Sequence, residues 1–245
     1  MTVNAPPEAA AGVNNRLQLA EADSALRAHI RHDLMANGVS FVAPETVIID
    51  SDVAIGSDTT VHAGSVLSRG TKIGRNCTVG PYAILSGTTL ADGTVVRSST
   101  VTDSYLGEGV QVGQYAVIRG NSRLEAGVRI GTHAEINRAA IGRGVRVGHF
   151  SYLGDVTIGE DVNIGAGVVT ANYDGANKFQ TVIGDGAFIG SDTVLVAPVR
   201  IGTGASTGAG SVVTHDVEDG ETVIGVPART HQRRQRSSDE IRGDR

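Results

Sequence analysis

The chain has 245 residues, a net charge of −5, 33 glycines, one cysteine, no tryptophan and only 4% aromatic residues. The acidic balance argues against non-specific nucleic-acid binding, the lone Cys77 against a disulfide framework or thiolate metal cage, and glycine without a Gly-X-Y period excludes collagen. No apolar run reaches membrane-spanning length, and MTVNAPPEAAAGV has neither the cationic start nor the apolar stretch of a signal peptide, so a cytoplasmic protein is expected.

Residues 1–14 read as a disordered N-terminus. A helix follows from Arg16 to Asn37 within a linker-type segment, 15–38. Leu17, Ala20, Leu26, Ile30 and Leu34 form its apolar stripe, Asn15 is placed to cap its start, and Gly38 stands where it must stop.

From residue 39 to 228 the pattern changes to one aliphatic every six residues. The beat is heard at Ile49, Ile55, Val61, Leu67, Ile73, Val79 and Leu85, and most cleanly at Val112, Ile118, Leu124, Ile130 and Ile136. It resumes at Ile141, Val147, Leu153, Ile158 and Ile164, and again at Ile183, Ile189, Leu195, Ile201, Thr207 and Val213. A six-residue period fits neither a helix nor a plain alternating strand. It fits very short strands joined by tight turns, with one aliphatic per hexad pointing inward. Three hexads close a triangular coil, so residues 18 apart stack, and successive coils pair as parallel strands. The expected fold is an all-β solenoid, a parallel β-helix of hexapeptide repeats with an N-terminal α-helix. Cys77 reads as a small buried hydrophobe.

The beat stops between Gly165 and Gly186, where Asn172, Tyr173, Asp174, Asn177 and Lys178 crowd together. Lys178 is one of only two lysines in the chain, with Lys72. A polar loop in so regular a solenoid is expected to be functional, extending groups over a site that flat coil faces cannot build. Residues 229–245 read as a polar, solvated tail.

The hexads, together with "GHFSYLGD", "NIGAG", "NYDGANK" and "GSDTVLVAPV" in that order, resemble the acetyltransferase half of the bifunctional bacterial enzyme glucosamine-1-phosphate N-acetyltransferase / N-acetylglucosamine-1-phosphate uridylyltransferase. The resemblance covers nearly the whole chain. It implies a left-handed coil, against the usual right-handed crossover, and a homotrimer whose loops complete pockets between subunits. It implies acetyl-CoA as donor and an amino sugar as acceptor, with no metal needed for acetyl transfer. The uridylyltransferase domain would precede the linker helix, and residues 1–14 carry no Gly-rich nucleotide loop, so uridylyl transfer is not expected.

By motif, the resemblance makes His149 the general base for the acceptor amine. His62, His133 and His215 read as bystanders. Arg119, Asn137, Tyr152, Asn163, Asn172, Tyr173 and Lys178 match substrate-binding positions. Ala166, Ser191 and Ala209 match the donor groove, with a backbone N–H near Ala166 placed to polarise the thioester. Arg229 is a candidate for the cofactor's phosphates, although the family arginine near the C-terminus does not align with it. One position departs from the family: it has lysine where this chain has Asn137. Eighteen residues beyond Arg119, Asn137 should stand directly over it, while Arg138, one step along a strand, should face the other way. The acceptor is thus glucosamine 1-phosphate held with fewer cations, or a retuned, unphosphorylated amine. Two other readings compete. Zinc-dependent carbonic anhydrases also use left-handed β-helices, but they need three converging histidines, and His133 and His149 lie 16 apart, off the 18-residue stack. A non-catalytic binding coil would be supported by a threonine ladder, and the threonines here are scattered.

Overall fold

The computed structural model describes residues 12–231. The readings of residues 1–11 and 232–245 as disordered or solvated ends lie outside it. Within it the chain forms a helix, Arg16–Ala36, followed by a parallel β-solenoid of about ten turns.

Most strands are two or three residues long and hydrogen-bond to the coils before and after them. They build a 12-stranded sheet and a 17-stranded sheet. The larger sheet contains two ladders, joined where the seven-residue strands Glu135–Ile141 and Tyr152–Ile158 run through both. Among the described residues the named strands pair in parallel, except that Thr222–Gly225 and Ala228–Thr230 pair antiparallel at the C-terminal end.

The coil length is less uniform than 18. Val112 pairs with Ile130 at 18 residues, but Ile130 pairs with Val147 at 17 and Val96 with Val112 at 16. Turns therefore shed one or two residues without breaking the ladder. The hexad aliphatics fill the interior, Ile49, Leu67, Ile118, Ile136 and Leu153 being fully buried, while Ile55 is half-buried. A second inward layer lies two residues earlier, with small residues such as Ser65, Ala83, Ser99, Ala116 and Ser151 on one ladder and valines such as Val110, Val128, Val145 and Val162 on another. Its hydroxyls stitch coils together. Ser99 Oγ donates to Gly113 O at 2.6 Å and accepts Ala116 N–H at 2.9 Å. Others bond within their own coil, as Ser65 does to His62 O at 2.8 Å, and these bonds keep the burial of the hydroxyls from being costly; Thr181 Oγ1 is the exception, buried without a partner among the described residues. Cys77 lies in this layer, buried as expected, and burial pushes its thiol pKa up.

The helix is capped as its sequence predicts. Asn15 Oδ1 accepts Gln18 N–H at 2.9 Å, and Gly38 leaves it at a φ of 91°. Ile30 and Leu34 pack on the core, and Arg27 and Arg31 donate to the carbonyls of Ile49 and Val47, so the helix leans on the first coil. Leu17 and Leu26, the rest of the expected stripe, stay exposed. No helix among the described residues is long and apolar enough to cross a membrane.

Candidate functional site

Four candidate residues fall on one corner of the solenoid. Val147, Ile164, Ile189 and Thr207 are in register on successive coils. Two residues beyond each stand His149, Ala166, Ser191 and Ala209. Backbone bonds confirm the column: Gly167 N–H donates to His149 O, Asp192 N–H to Ala166 O and Gly210 N–H to Ser191 O, all at 2.7–2.8 Å. The residue before each is glycine because the coils touch there. A Cβ on Gly148 would lie 2.4 Å from Ala166 N, and one on Gly165 2.5 Å from Ser191 N. Arg229 stands beyond the top of this column, beside Ile224 in the terminal antiparallel pair, with its guanidinium on the Ala228 carbonyl.

His149 is exposed, and its Nδ1 accepts Thr132 N–H at 3.0 Å. A neutral imidazole that accepts at Nδ1 carries its proton on Nε2. The outward nitrogen is therefore a donor in this conformation. His133 belongs to a different column, sandwiched between Tyr115 and Phe150 with ring centroids 5.1 and 5.2 Å away. Among the described residues no three His, Cys, Asp or Glu side chains converge as metal ligands.

Tyr152 leaves the corner on the strand that follows His149, and beyond the next turn lies the loop. Asn163 pairs with Phe188 at 25 residues, seven more than an 18-residue coil. The extra residues form a flap. Tyr173 and Lys178 make an antiparallel bridge, and Asp174 Oδ1 accepts the N–H groups of Ala176 and Asn177 at 2.8 and 2.7 Å. Those two donors hold the Asp174 carboxyl below its ordinary pKa. Gly175, at a φ of 104°, makes the tip, and the Tyr173 hydroxyl closes onto its carbonyl at 2.5 Å.

The flap is anchored at its base. Asn172, 6% exposed, donates from Nδ2 to Asp155 Oδ2, and Arg138 clamps the same carboxylate with Nε and Nη2. Arg138, then Asn172 and the charge of Lys178, hold Asp155 below the usual carboxylate range. A Cβ on Gly154 would strike the Tyr152 hydroxyl and Asn172 Nδ2, so these two side chains meet over that glycine.

Arg119, Asn137 and Gly154 stack in register, as the spacing predicted for the first two. The side chains do not present a shared anion site. Arg119 is bound to Glu135 Oε1 through Nε at 3.0 Å and Nη2 at 2.6 Å, and Asn137 is 1% exposed with its Oδ1 accepting from Arg138 Nη1 at 3.1 Å. Arg138, not Asn137, reaches outward. Simple alternation fails there because Arg138 has a φ of 51° and turns a corner rather than continuing a strand. Asn163 lies on the 12-stranded sheet, apart from Tyr152 and the flap on the larger one.

Sequence reasoning missed Glu135, Asp155 and Thr132. A signal existed for the acids: Arg119–Glu135 and Arg138–Asp155 are opposite charges spaced 16 and 17 residues apart, one coil each. Thr132 acts through its backbone, which composition does not reveal.

Comparison with known proteins first fixes the class. Residues 180–215 match the bacterial transferase hexapeptide (six repeats) model, and residues 82–169 match the model described as GlmU-like, C-terminal hexapeptide. The chain is 48% identical over 214 residues, 87% of its length, to the bifunctional protein GlmU of Lactococcus lactis subsp. cremoris. It is 40% identical over 206 residues to the protein of the same name from Syntrophomonas wolfei. It spans about half of those relatives, 47% and 46% of their lengths. The UDP-N-acetylglucosamine acyltransferase from Campylobacter jejuni shares the fold, with a TM-score of 0.56 at 16% identity over 82% of this chain and 80% of that one. The chain belongs to the bacterial hexapeptide-repeat transferases, in the GlmU-like C-terminal hexapeptide family.

Proposed function

We propose that this chain is an acyl-CoA-dependent N-acyltransferase that moves an acetyl group from acetyl-CoA to the amine of an amino sugar, glucosamine 1-phosphate being the first candidate. The observation that carries this reading is the corner column, which lines up one imidazole with Ala166, Ser191 and Ala209, while the braced polar flap arises from the coil that carries Ala166. Small residues and coil-edge N–H groups along the column suit an extended thioester cofactor, and the flap offers hydroxyl, amide and ammonium groups to a sugar.

The amine attacks the thioester carbon. A C–N bond forms, the C–S bond breaks, and the sulfur leaves as thiolate. The proton lost by the nitrogen is carried by His149 to the thiolate, so amide and free thiol are the products. Base action requires the ring to turn out of its bond to Thr132 and offer a lone pair. A backbone N–H near Ala166 receives the developing oxyanion. Neighbouring copies, three around an axis, complete the pocket. This fits the exposure of His149, Tyr173 and Lys178 on one chain and the separation of Asn163 from Tyr152.

A second reading is favoured by one observation: Arg119 is tied to Glu135 and Asn137 is uncharged and buried. An unphosphorylated amine would need neither. The test is thiol release from acetyl-CoA against amino sugars with and without phosphate. Turnover of the phosphorylated sugar at the higher kcat/KM supports the first reading, faster turnover of a neutral amine selects the second, and the lack of thiol release with every amine overturns both.

A further inference from the structure

The outward column of the 12-stranded sheet reads Gln111, Arg129, Arg146, Asn163 and Phe188 in strict register. Arg129 and Arg146 are exposed neighbours on adjacent strands, about 4.8 Å apart in backbone. Among the described residues theirs is the only strand-register pair that sets like charges opposite each other, an arrangement that destabilises a sheet. Seven other arginines each lie within 4 Å of a carboxylate, whereas Arg129 and Arg146, like Arg16, Arg31, Arg75, Arg97 and Arg229, have no salt-bridge partner among the described residues. Two unneutralised guanidiniums on adjacent strands are relieved by an anion between them, and such planar forks match the oxygens of a phosphate group.

We propose that Arg129 and Arg146 form the phosphate subsite for the acceptor. This rests on the reading of the chain as an acetyltransferase for a phosphorylated amino sugar, and it resolves the difficulty that Arg119 is occupied by Glu135. The position distinguishes acceptor from donor. Arg146 lies three residues before His149 in the same coil, and Arg129 one coil toward the N-terminus. The donor column climbs the other way, through Ala166 and Ser191 to Ala209. Asn163, directly above Arg146, supplies an amide to the sugar next to its phosphate.

The test uses the full chain and the variants Arg129→Gln, Arg146→Gln and the double. Inorganic phosphate binding is measured by calorimetry, and kinetics are run with glucosamine 1-phosphate, with glucosamine, and with acetyl-CoA varied against its 3′-dephospho form. Each single variant is expected to weaken phosphate binding and raise KM for glucosamine 1-phosphate about tenfold. KM for glucosamine and for acetyl-CoA should not change, and melting temperatures should hold or rise as the repulsion is removed. Unchanged phosphate affinity in the double variant overturns the subsite. A rise confined to KM for acetyl-CoA, absent with the dephospho form, overturns its assignment to the acceptor. If no amine is acetylated at all, the calorimetry still reports whether the pair binds phosphate, so loss of the enzymatic reading and loss of the subsite are separately visible.

Discussion

Arg138 and Asp155, on adjacent coils, form a two-point ion pair: Nε to Oδ1 at 2.5 Å and Nη2 to Oδ2 at 2.7 Å. The carboxylate also receives Asn172, the first residue of the flap. A loop that is polar and largely exposed is thereby tied to the most regular part of the molecule by one charged group.

Replacing that group should loosen the flap. Asp155→Asn is expected to cost about 1–2 kcal/mol, between the values for surface and buried pairs, and to raise acceptor KM more than donor KM. The folded-state pKa of Asp155 is depressed, chiefly by Arg138. Its stabilisation is therefore fully present above the unfolded carboxylate pKa, near 4, and lost as pH falls through the lower folded value. Melting curves of wild type and Asp155→Asn should differ at neutral pH and converge under strong acid. A gap that persists at acid pH would count against the pair.

His149 should be found as the Nε2–H tautomer in the free protein, because Nδ1 is engaged by Thr132. Nitrogen-15 NMR of labelled histidine reads this directly, and donor plus a non-reactive acceptor analogue should shift it. His149→Ala is expected to lower kcat by about 10²–10⁴-fold with little change in melting temperature. Full activity in that variant would remove the proposed proton carrier.

Gly148→Ala probes the column itself. The added methyl carbon would sit 2.4 Å from Ala166 N and 2.5 Å from Gly165 C, both backbone atoms that cannot swing aside. Coils must part at the corner, so stability should fall by about 1–3 kcal/mol and KM for acetyl-CoA should rise. Gly186→Ala, at a φ of 63° with no atom within 4 Å of the new carbon, separates the two causes. It carries backbone strain but no collision, and is expected to leave donor KM unchanged.

Ile136→Ala removes a fully buried hexad aliphatic between Arg119 and the flap coils. About 2–5 kcal/mol of destabilisation is expected. Each coil contacts only its neighbours, so hydrogen exchange should speed most in the coils around Glu135–Ile141 and least near the helix. Uniform acceleration along the chain would show that the stack opens as one unit.

The solenoid was legible because its cause is one-dimensional. A buried aliphatic every six residues repeats too often to be hidden, and the same beat exposed the flap where it failed. Arg119 over Asn137 followed from spacing alone. Which side chain at 137 or 138 faces outward did not, because a left-handed φ at one corner reverses the alternation. The pairing of Arg119 with Glu135 was equally out of reach of an 18-residue rule, since the arginine reaches diagonally to the strand neighbour of Val117, two residues before its own register partner Asn137. The tautomer of His149 rests on a backbone N–H and leaves no trace in residue type. Small residues such as Ser99 and Ser151, two places before an aliphatic, were visible, but their role as a hydrogen-bonded inner seam needed coordinates.

Strand register is intact on both sides of the seven added residues: Val169 pairs with Val194, and Thr181 with Val199. The coils absorb the excursion without shifting a single ladder rung. The flap and the ladder beneath it are thus encoded in separable stretches of sequence. The loop could be exchanged for one of different length or chemistry while the scaffold beneath keeps its shape, a modularity that makes this prism a candidate chassis for transplanted specificity.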